Sequence, residues 1–173
     1  MPFIDKTKIG LEGHSFGGYE TNYLVTGSGM FAAACAGAGV SNFITHYGSI
    51  MRDGNSRQST YEKGQLRLDG SLWQAPEEYI KNSPVFKVNN ITTPILLMNN
   101  KGDGSVPFDQ GVEMLTALRR SGKKAWMLQY DGEDHSLGDE KAAMDFTIRL
   151  TQFFDHYLKD ARAPEWMQDS INN

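Results

Sequence analysis

Apolar residues in this chain gather into short runs separated by glycine, proline and polar clusters, and the spacing within each run predicts an element. Lys8-Ile9-Gly10-Leu11 reads as a short strand, and Gly17 to about Thr26 as a helix stopped by Gly27-Ser28-Gly29. Phe31 to Val40 is a small-residue apolar run, read as a second buried strand with Gly37 and Gly39 at its end. Thr93 to Asn99 is almost continuously apolar and suits a strand covered on both faces. Pro107 and Phe108 then open a helix with Val112, Leu115 and Leu118 on one face, Arg119 and Arg120 in its last turn and Gly122 just beyond. Lys124 to Tyr130 is the next strand. Asp139 to Lys159 is a long final helix whose stripe of Phe146, Leu150, Phe153, Phe154, Tyr157 and Leu158 has the spacing of one buried face.

Between Ser41 and Asn90 the periodicity weakens. Phe43 to Tyr47 reads as a helical turn, and Pro76-Glu77-Glu78-Tyr79-Ile80 as a helix start with proline at its first position. The polar stretch from Arg52 to Glu62 lies between them. An excursion this long between two strands predicts a cap-like, substrate-shaping insertion at about 41–90. Strand, helix, strand, cap, strand, helix, strand, helix is the alternation of an α/β fold. It predicts a mostly parallel sheet with helices on both faces and a site at the carboxyl ends of its strands.

Composition narrows the class. With 173 residues, 39% of them hydrophobic, the chain has material for one domain with a real core. A net charge of −4 and a pI near 5.5 leave no basic footprint for nucleic acid or an anionic membrane. No apolar stretch approaches the length of a membrane span, and the start lacks the layout of a signal peptide. A single cysteine, Cys35, excludes an internal disulfide and sits in an apolar run, as a buried, inert thiol would. The compartment stays open, cytoplasmic or exported.

The chemistry enters with Gly13-His14-Ser15-Phe16-Gly17-Gly18-Tyr19, between the first strand and the first helix. A Gly-x-Ser-x-Gly on such a turn is the nucleophile elbow of an α/β-hydrolase fold, which lifts the serine hydroxyl above the sheet edge. With 18 glycines and 12 serines in the chain, chance alone supplies that pattern roughly one time in eight, so its context decides. An activated serine needs a base and an acid to orient the base, and on this fold they follow it in the order acid, then histidine. Asp103 stands just past the Ile95 strand and His135 just past the Tyr130 strand, on the same sheet edge as Ser15 and in that order. Asp109 falls inside a helix. Asp131, Glu133 and Asp134 share the histidine's own loop and reach its ring poorly. His14 is expected to point away from the nucleophile, and His46 falls in the cap. The acidic residues around His135 lack a second histidine or cysteine at ligand spacing, so neither a metal nor another cofactor is expected.

Gly-His-Ser-Phe-Gly-Gly-Tyr at 13–19, Asp103-Gly-Ser-Val-Pro107 and Gly132-Glu-Asp-His135 together resemble the prolyl oligopeptidase family of serine peptidases. The resemblance runs from the first strand to the final helix. It implies a partial α/β-hydrolase catalytic domain, the later part of a longer one, preceded in family members by a β-propeller that limits access to short peptides. The elbow strand opens the chain almost at once, where several strands come first in a complete domain. The resemblance also implies Ser15, Asp103 and His135 as the catalytic residues, acting through an acyl-enzyme on short peptide substrates. The backbone N–H of Phe16 becomes one oxyanion donor, and the second is a tyrosine from a segment this sequence does not contain. Tyr47 and Val106 are marked as candidate substrate-binding residues.

The departures bear on specificity. Asn99-Asn100 stands where family members often carry His-Gly, and Ser105 where dipeptidyl peptidases place a substrate-holding asparagine, so dipeptidyl specificity is not carried over. An esterase on the same fold and a non-catalytic binding domain stay open as alternatives. Finally, an elbow strand lacking its outer neighbour leaves Lys8 to Leu11 with unpaired backbone groups, which predicts self-association, as a two-fold dimer or larger, through this edge.

Overall fold

A computed structural model describes residues 4–168. Four parallel strands form one sheet in the order β1 (Gly10–His14), β2 (Ala33–Gly37), β3 (Ile95–Met98) and β4 (Ala125–Leu128). The connections carry α1 (Phe16–Gly27), a largely helical segment, α5 (Phe108–Arg120) and finally α6 (Glu140–Leu158). The segment between β2 and β3 holds α2 (Phe43–Tyr47), α3 (Gln58–Glu62), α4 (Pro76–Lys81) and a 3-10 stretch at Pro84–Asn90.

Alternation along the strands builds two cores, one on each face of the sheet. Ala34, Ala36, Ile95, Leu97 and Ala125 meet Val25 of α1, Val88 and Ile91, and Met114 and Leu118 of α5. Ala33, Cys35, Leu96 and Trp126 point the other way, onto Phe153, with Phe146, Leu150, Phe154 and Tyr157 of α6 packed around them. The α6 stripe is therefore the one its spacing predicts. That helix begins at Asp139, whose carboxylate accepts from the N–H groups of Lys141 and Ala142. Cys35 is buried, and burial pushes its thiol pKa up.

Two elements differ from the sequence reading. The first strand starts later than Lys8 and continues to His14, because the parallel register pairs Gly10 through His14 with Ala33 through Gly37. Lys8 instead turns its ammonium to the carbonyl of Tyr157 and to Asp160, 2.5 Å away. On α5 the buried line runs through Gln110, Gly111, Met114 and Leu118, with Leu115 beside it and Val112 only half-buried. A polar residue joins that face because Ser41 and Asn42 need it: their N–H groups donate to Gln110 Oε1 at 3.1 and 2.9 Å.

The helical segment has a third core of its own, made of Phe43, Tyr47, Tyr61 and Tyr79, with Tyr19 of α1 packed on it. Ring pairs in it meet mostly edge to face, Phe43 with Tyr61 at 5.0 Å and Tyr47 with Tyr79 at 5.1 Å. Tyr61 brings α3 into this core from within the polar stretch between Arg52 and Glu62. Among the described residues no helix is long and apolar enough to cross a membrane. At the sheet's edge, β1 pairs with β2 alone among the described residues.

The start of α1 lies almost in contact with the end of β2. A Cβ on Gly18 would sit 2.3 Å from the Gly37 carbonyl oxygen and 2.9 Å from Gly39 Cα, whereas a Cβ on Gly17 would meet nothing within 4 Å. Gly18→Ala should therefore destabilise the fold by about 3 kcal/mol or more, while Gly17→Ala should be neutral or stabilise it by about 0.4–1 kcal/mol. Urea denaturation of the two variants checks the contrast, and equal losses would remove the packing argument.

Candidate active site

The turn between β1 and α1 is strained at one residue. Ser15 has φ 60° and ψ −119°, a backbone conformation that a side chain adopts only when its surroundings enforce it. The enforcement is visible. Its N–H donates to the Gly37 carbonyl at 2.8 Å, its carbonyl accepts from Tyr19 N–H at 3.0 Å, and Gly13 admits the Gly17 carbonyl where a Cβ would stand 2.1 Å from it. Ser15 occupies the N-cap position of α1, yet its hydroxyl makes no cap hydrogen bond. The strained backbone aims Oγ elsewhere, 2.8 Å from Nε2 of His135.

On the other side of that imidazole, Nδ1 lies 2.8 Å from Oδ2 of Asp103. The Asp103 side chain is 1% exposed, and its second oxygen accepts from the N–H groups of Ser105 and Val106 at 2.7 and 2.8 Å. A carboxylate so held has little freedom to rotate away from the ring. Ser15, Asp103 and His135 thus come together from the ends of three different strands. Phe16 is the first residue of α1, so its N–H has no acceptor within the helix.

Tyr47 and Val106 are not brought to the opening. Tyr47 is 2% exposed, and its hydroxyl donates to Glu62 Oε1 at 2.7 Å. Val106 is buried at 6% exposure, and its N–H is spent on Asp103. The cleft beside His135, about 530 Å³ in volume, is lined instead by Met51, Arg52, Asp53, Ser105 and Ser136, among others.

Several supporting residues escape a reading of the sequence. The buried Asn100 spans the histidine loop, accepting from Tyr130 N–H at 3.0 Å and donating to the Asp134 carbonyl at 2.9 Å. Asp134 makes no bond to the imidazole. Its Oδ1 accepts from Gly104 N–H and from His135 N–H, and its Oδ2 pairs with Arg52 at 2.5 Å. The Gly104 N–H, the Arg52 guanidinium and the His135 N–H together hold the Asp134 carboxyl down at about 2. His14 does not lie apart from the site: its ring centroid is 5.0 Å from that of His135. Desolvation and the neighbouring His135 lower the His14 pKa. The one signal for Asn100 and Asp134 in sequence was their placement beside the two candidate loops. Among the described residues no group of three His, Cys, Asp or Glu side chains is arranged to hold a metal ion.

The chain is similar to known proteins in sequence and in fold. The sequence profile of the prolyl oligopeptidase family matches residues 1–161. An uncharacterized peptidase of Bacillus subtilis is 25% identical over 160 residues, covering 91% of this chain and 23% of the relative. The acylamino-acid-releasing enzyme of Rattus norvegicus is 28% identical over 158 residues, covering 90% of this chain and 21% of the relative. The solved acylaminoacyl peptidase of Pyrococcus horikoshii superposes with a TM-score of 0.80 at 27% identity, over 94% of this chain and 26% of that one. The chain therefore spans roughly a quarter or less of the length of these relatives, and their sheet and helices give its fold class as α/β-hydrolase.

Acid sensitivity should arise from one buried group behind the site. His46 of α2 is 6% exposed with Nδ1 2.5 Å from the Tyr61 hydroxyl, and burial, aided by Arg57, pushes its pKa down to about 3. Between about pH 6.5 and 3 the unfolded histidine binds a proton that the folded one refuses, so stability falls as pH is lowered through that window. At about pH 4.5 the loss should be about 2–3 kcal/mol relative to neutrality. Urea midpoints at the two pH values check this, with His46→Gln expected to remove most of the difference.

Proposed function

This chain belongs to the prolyl oligopeptidase family, and we propose that it hydrolyses peptide bonds of short peptides through an acyl-enzyme formed on Ser15. The observation that carries the reading is the unbroken hydrogen-bonded line from Ser15 Oγ through the His135 imidazole to the buried Asp103 carboxylate. Asp103 accepts a hydrogen bond from the Nδ1–H of His135, which leaves Nε2 as the acceptor facing Ser15. As Oγ attacks the substrate carbonyl carbon, its proton passes to Nε2. The carbonyl oxygen gains negative charge and takes the N–H of Phe16 as one of its donors. His135 then gives the proton to the departing amine, the C–N bond breaks and the acyl group remains on Ser15. A water molecule repeats the sequence, losing its proton to Nε2 and releasing the carboxylic acid and the free serine.

The reading extends to organisation and assembly. Residues 1–173 form one partial catalytic unit, with the segment at about 41–90 arching over the carboxyl ends of the strands as a cap, and a propeller domain accompanies it in the longer protein. The edge of β1 that is unpaired among the described residues is a template for another strand, and a second copy of this chain supplies one.

A fluorophosphonate probe should label Ser15, and Ser15→Ala should abolish labelling, as peptide mapping by mass spectrometry would report. His135→Ala and Asp103→Asn should each lower kcat on aminoacyl amides by about a thousandfold or more, with KM little changed. Asp134→Asn should cost much less. Hydrolysis of short-chain esters but of no amide in parallel assays would reassign the activity to an esterase. Light scattering of the 173-residue chain at micromolar concentration should show dimers or larger species, and a monomer would mean that the β1 edge is covered.

A further inference from the structure

We propose that Arg52 and Arg57 are positioning residues that clasp the loop carrying Asp103 and close it against the loop carrying His135. The inference rests on the functional reading above. Both arginines come from one tight excursion of the helical segment. An antiparallel bridge between Ile50 and Ser56 closes a small hairpin whose turn passes through Gly54 at φ +85°, with Arg52 inside it and Arg57 just beyond.

Each guanidinium binds a carbonyl flanking the acid. Arg52 donates through one terminal nitrogen to the carbonyl of Gly102, immediately before Asp103. Arg57 donates to the carbonyl of Gly104, immediately after it, at 3.2 Å, while its Nε is held by Ser49 Oγ at 2.9 Å. The other terminal nitrogen of Arg52 pairs with Asp134, whose remaining oxygen binds the N–H groups of Gly104 and His135. One planar cation therefore spans the two loops that must hold carboxylate and imidazole in register.

The glycines around the acid agree with this. A Cβ on Gly104 would stand 2.7 Å from Arg52 Nε and 2.9 Å from its Cζ, so the guanidinium lies against bare backbone. A Cβ on Gly102 would stand 2.6 Å from the Glu133 carbonyl oxygen, so the histidine loop occupies the other side. Arg57 is 6% exposed and has no carboxylate within ion-pair distance among the described residues, which makes it a costly group to bury unless its hydrogen bonds serve the site. Burial lowers its pKa, while Tyr61, Asp103 and Asp53 oppose that, so its charge and the acid's act on each other. The carbonyls it and Arg52 hold fix the backbone from which Ser105 and Val106 donate to Asp103.

The test compares rates per active site, counted by fluorophosphonate titration of Ser15. Arg52→Gln, Arg52→Lys and Arg57→Met should each lower kcat per titrated site by about ten- to a hundredfold, with KM nearly constant. Lysine at position 52 should fail to restore the rate, because one ammonium does not span Gly102 and Asp134 in that geometry. Arg52→Gln combined with Asp134→Asn should be little slower than the slower single variant, since both break one link. Wild-type kcat per site in the arginine variants, or a loss confined to the number of titratable sites, overturns the clasp, as does full rescue by Arg52→Lys. Asp103→Asn runs alongside: if that variant keeps its rate, the functional reading fails, whereas a slow Asp103→Asn beside fast arginine variants removes only the clasp.

Discussion

Everything in this structure turns on how closely α1 is allowed to approach β2. Gly18 lies on the Gly37 carbonyl and beside Gly39, with no room for a side chain on either partner. That proximity lets Ser15 N–H reach the same Gly37 carbonyl and holds the serine at positive φ. A conformation that costs of order 1–3 kcal/mol persists only where packing overdetermines it. Here two glycine-lined surfaces and a buried alanine-rich strand do so. The result is a hydroxyl denied its usual cap bond and turned toward an imidazole.

The partners of that hydroxyl depend on a different principle, saturation of a buried carboxylate. Asp103 is almost wholly removed from water, and its oxygens are taken by two backbone N–H groups and one imidazole. Each of those donors sits on a loop, the least constrained part of an α/β fold. The loops are made rigid by polar side chains that never touch the serine: Asn100 across the histidine loop, Glu133 onto the N–H groups of Gly138 and Asp139, and Asp134 between both loops. A chain of hydrogen bonds thus substitutes for the packing that fixes strands and helices.

The helical segment between β2 and β3 links these two levels. Its aromatic core is anchored to α1 through Tyr19, whose ring lies 4.8 Å from Phe43, and to α5 through Gln110. From that fixed base it extends a hairpin toward the acid loop. That hairpin brings Arg52 and Arg57 to the carbonyls on either side of Asp103.

By itself the sequence determined the alternating elements, the parallel sheet, the α6 stripe and the meeting of Ser15, Asp103 and His135 at one sheet edge. These are legible because they rest on local rules: apolar spacing follows helix and strand periods, and a strand-to-turn junction places its first loop residues at one sheet edge. The family resemblance drew on the same local motifs. Only the tertiary structure decided what surrounds them. The core of Phe43, Tyr47, Tyr61 and Tyr79 has no period because its members come from three helices, and Gln110 is buried because Ser41 and Asn42, about seventy positions earlier in the chain, lack other acceptors. Arg52 lies in no motif, and the motifs that contain or flank Asn100 and Asp134 say nothing of their contacts. Most of their partners are backbone groups, and a hydrogen bond to a carbonyl or an N–H leaves no mark on the identity of the residue that supplies it, so the contact exists only once the chain has folded.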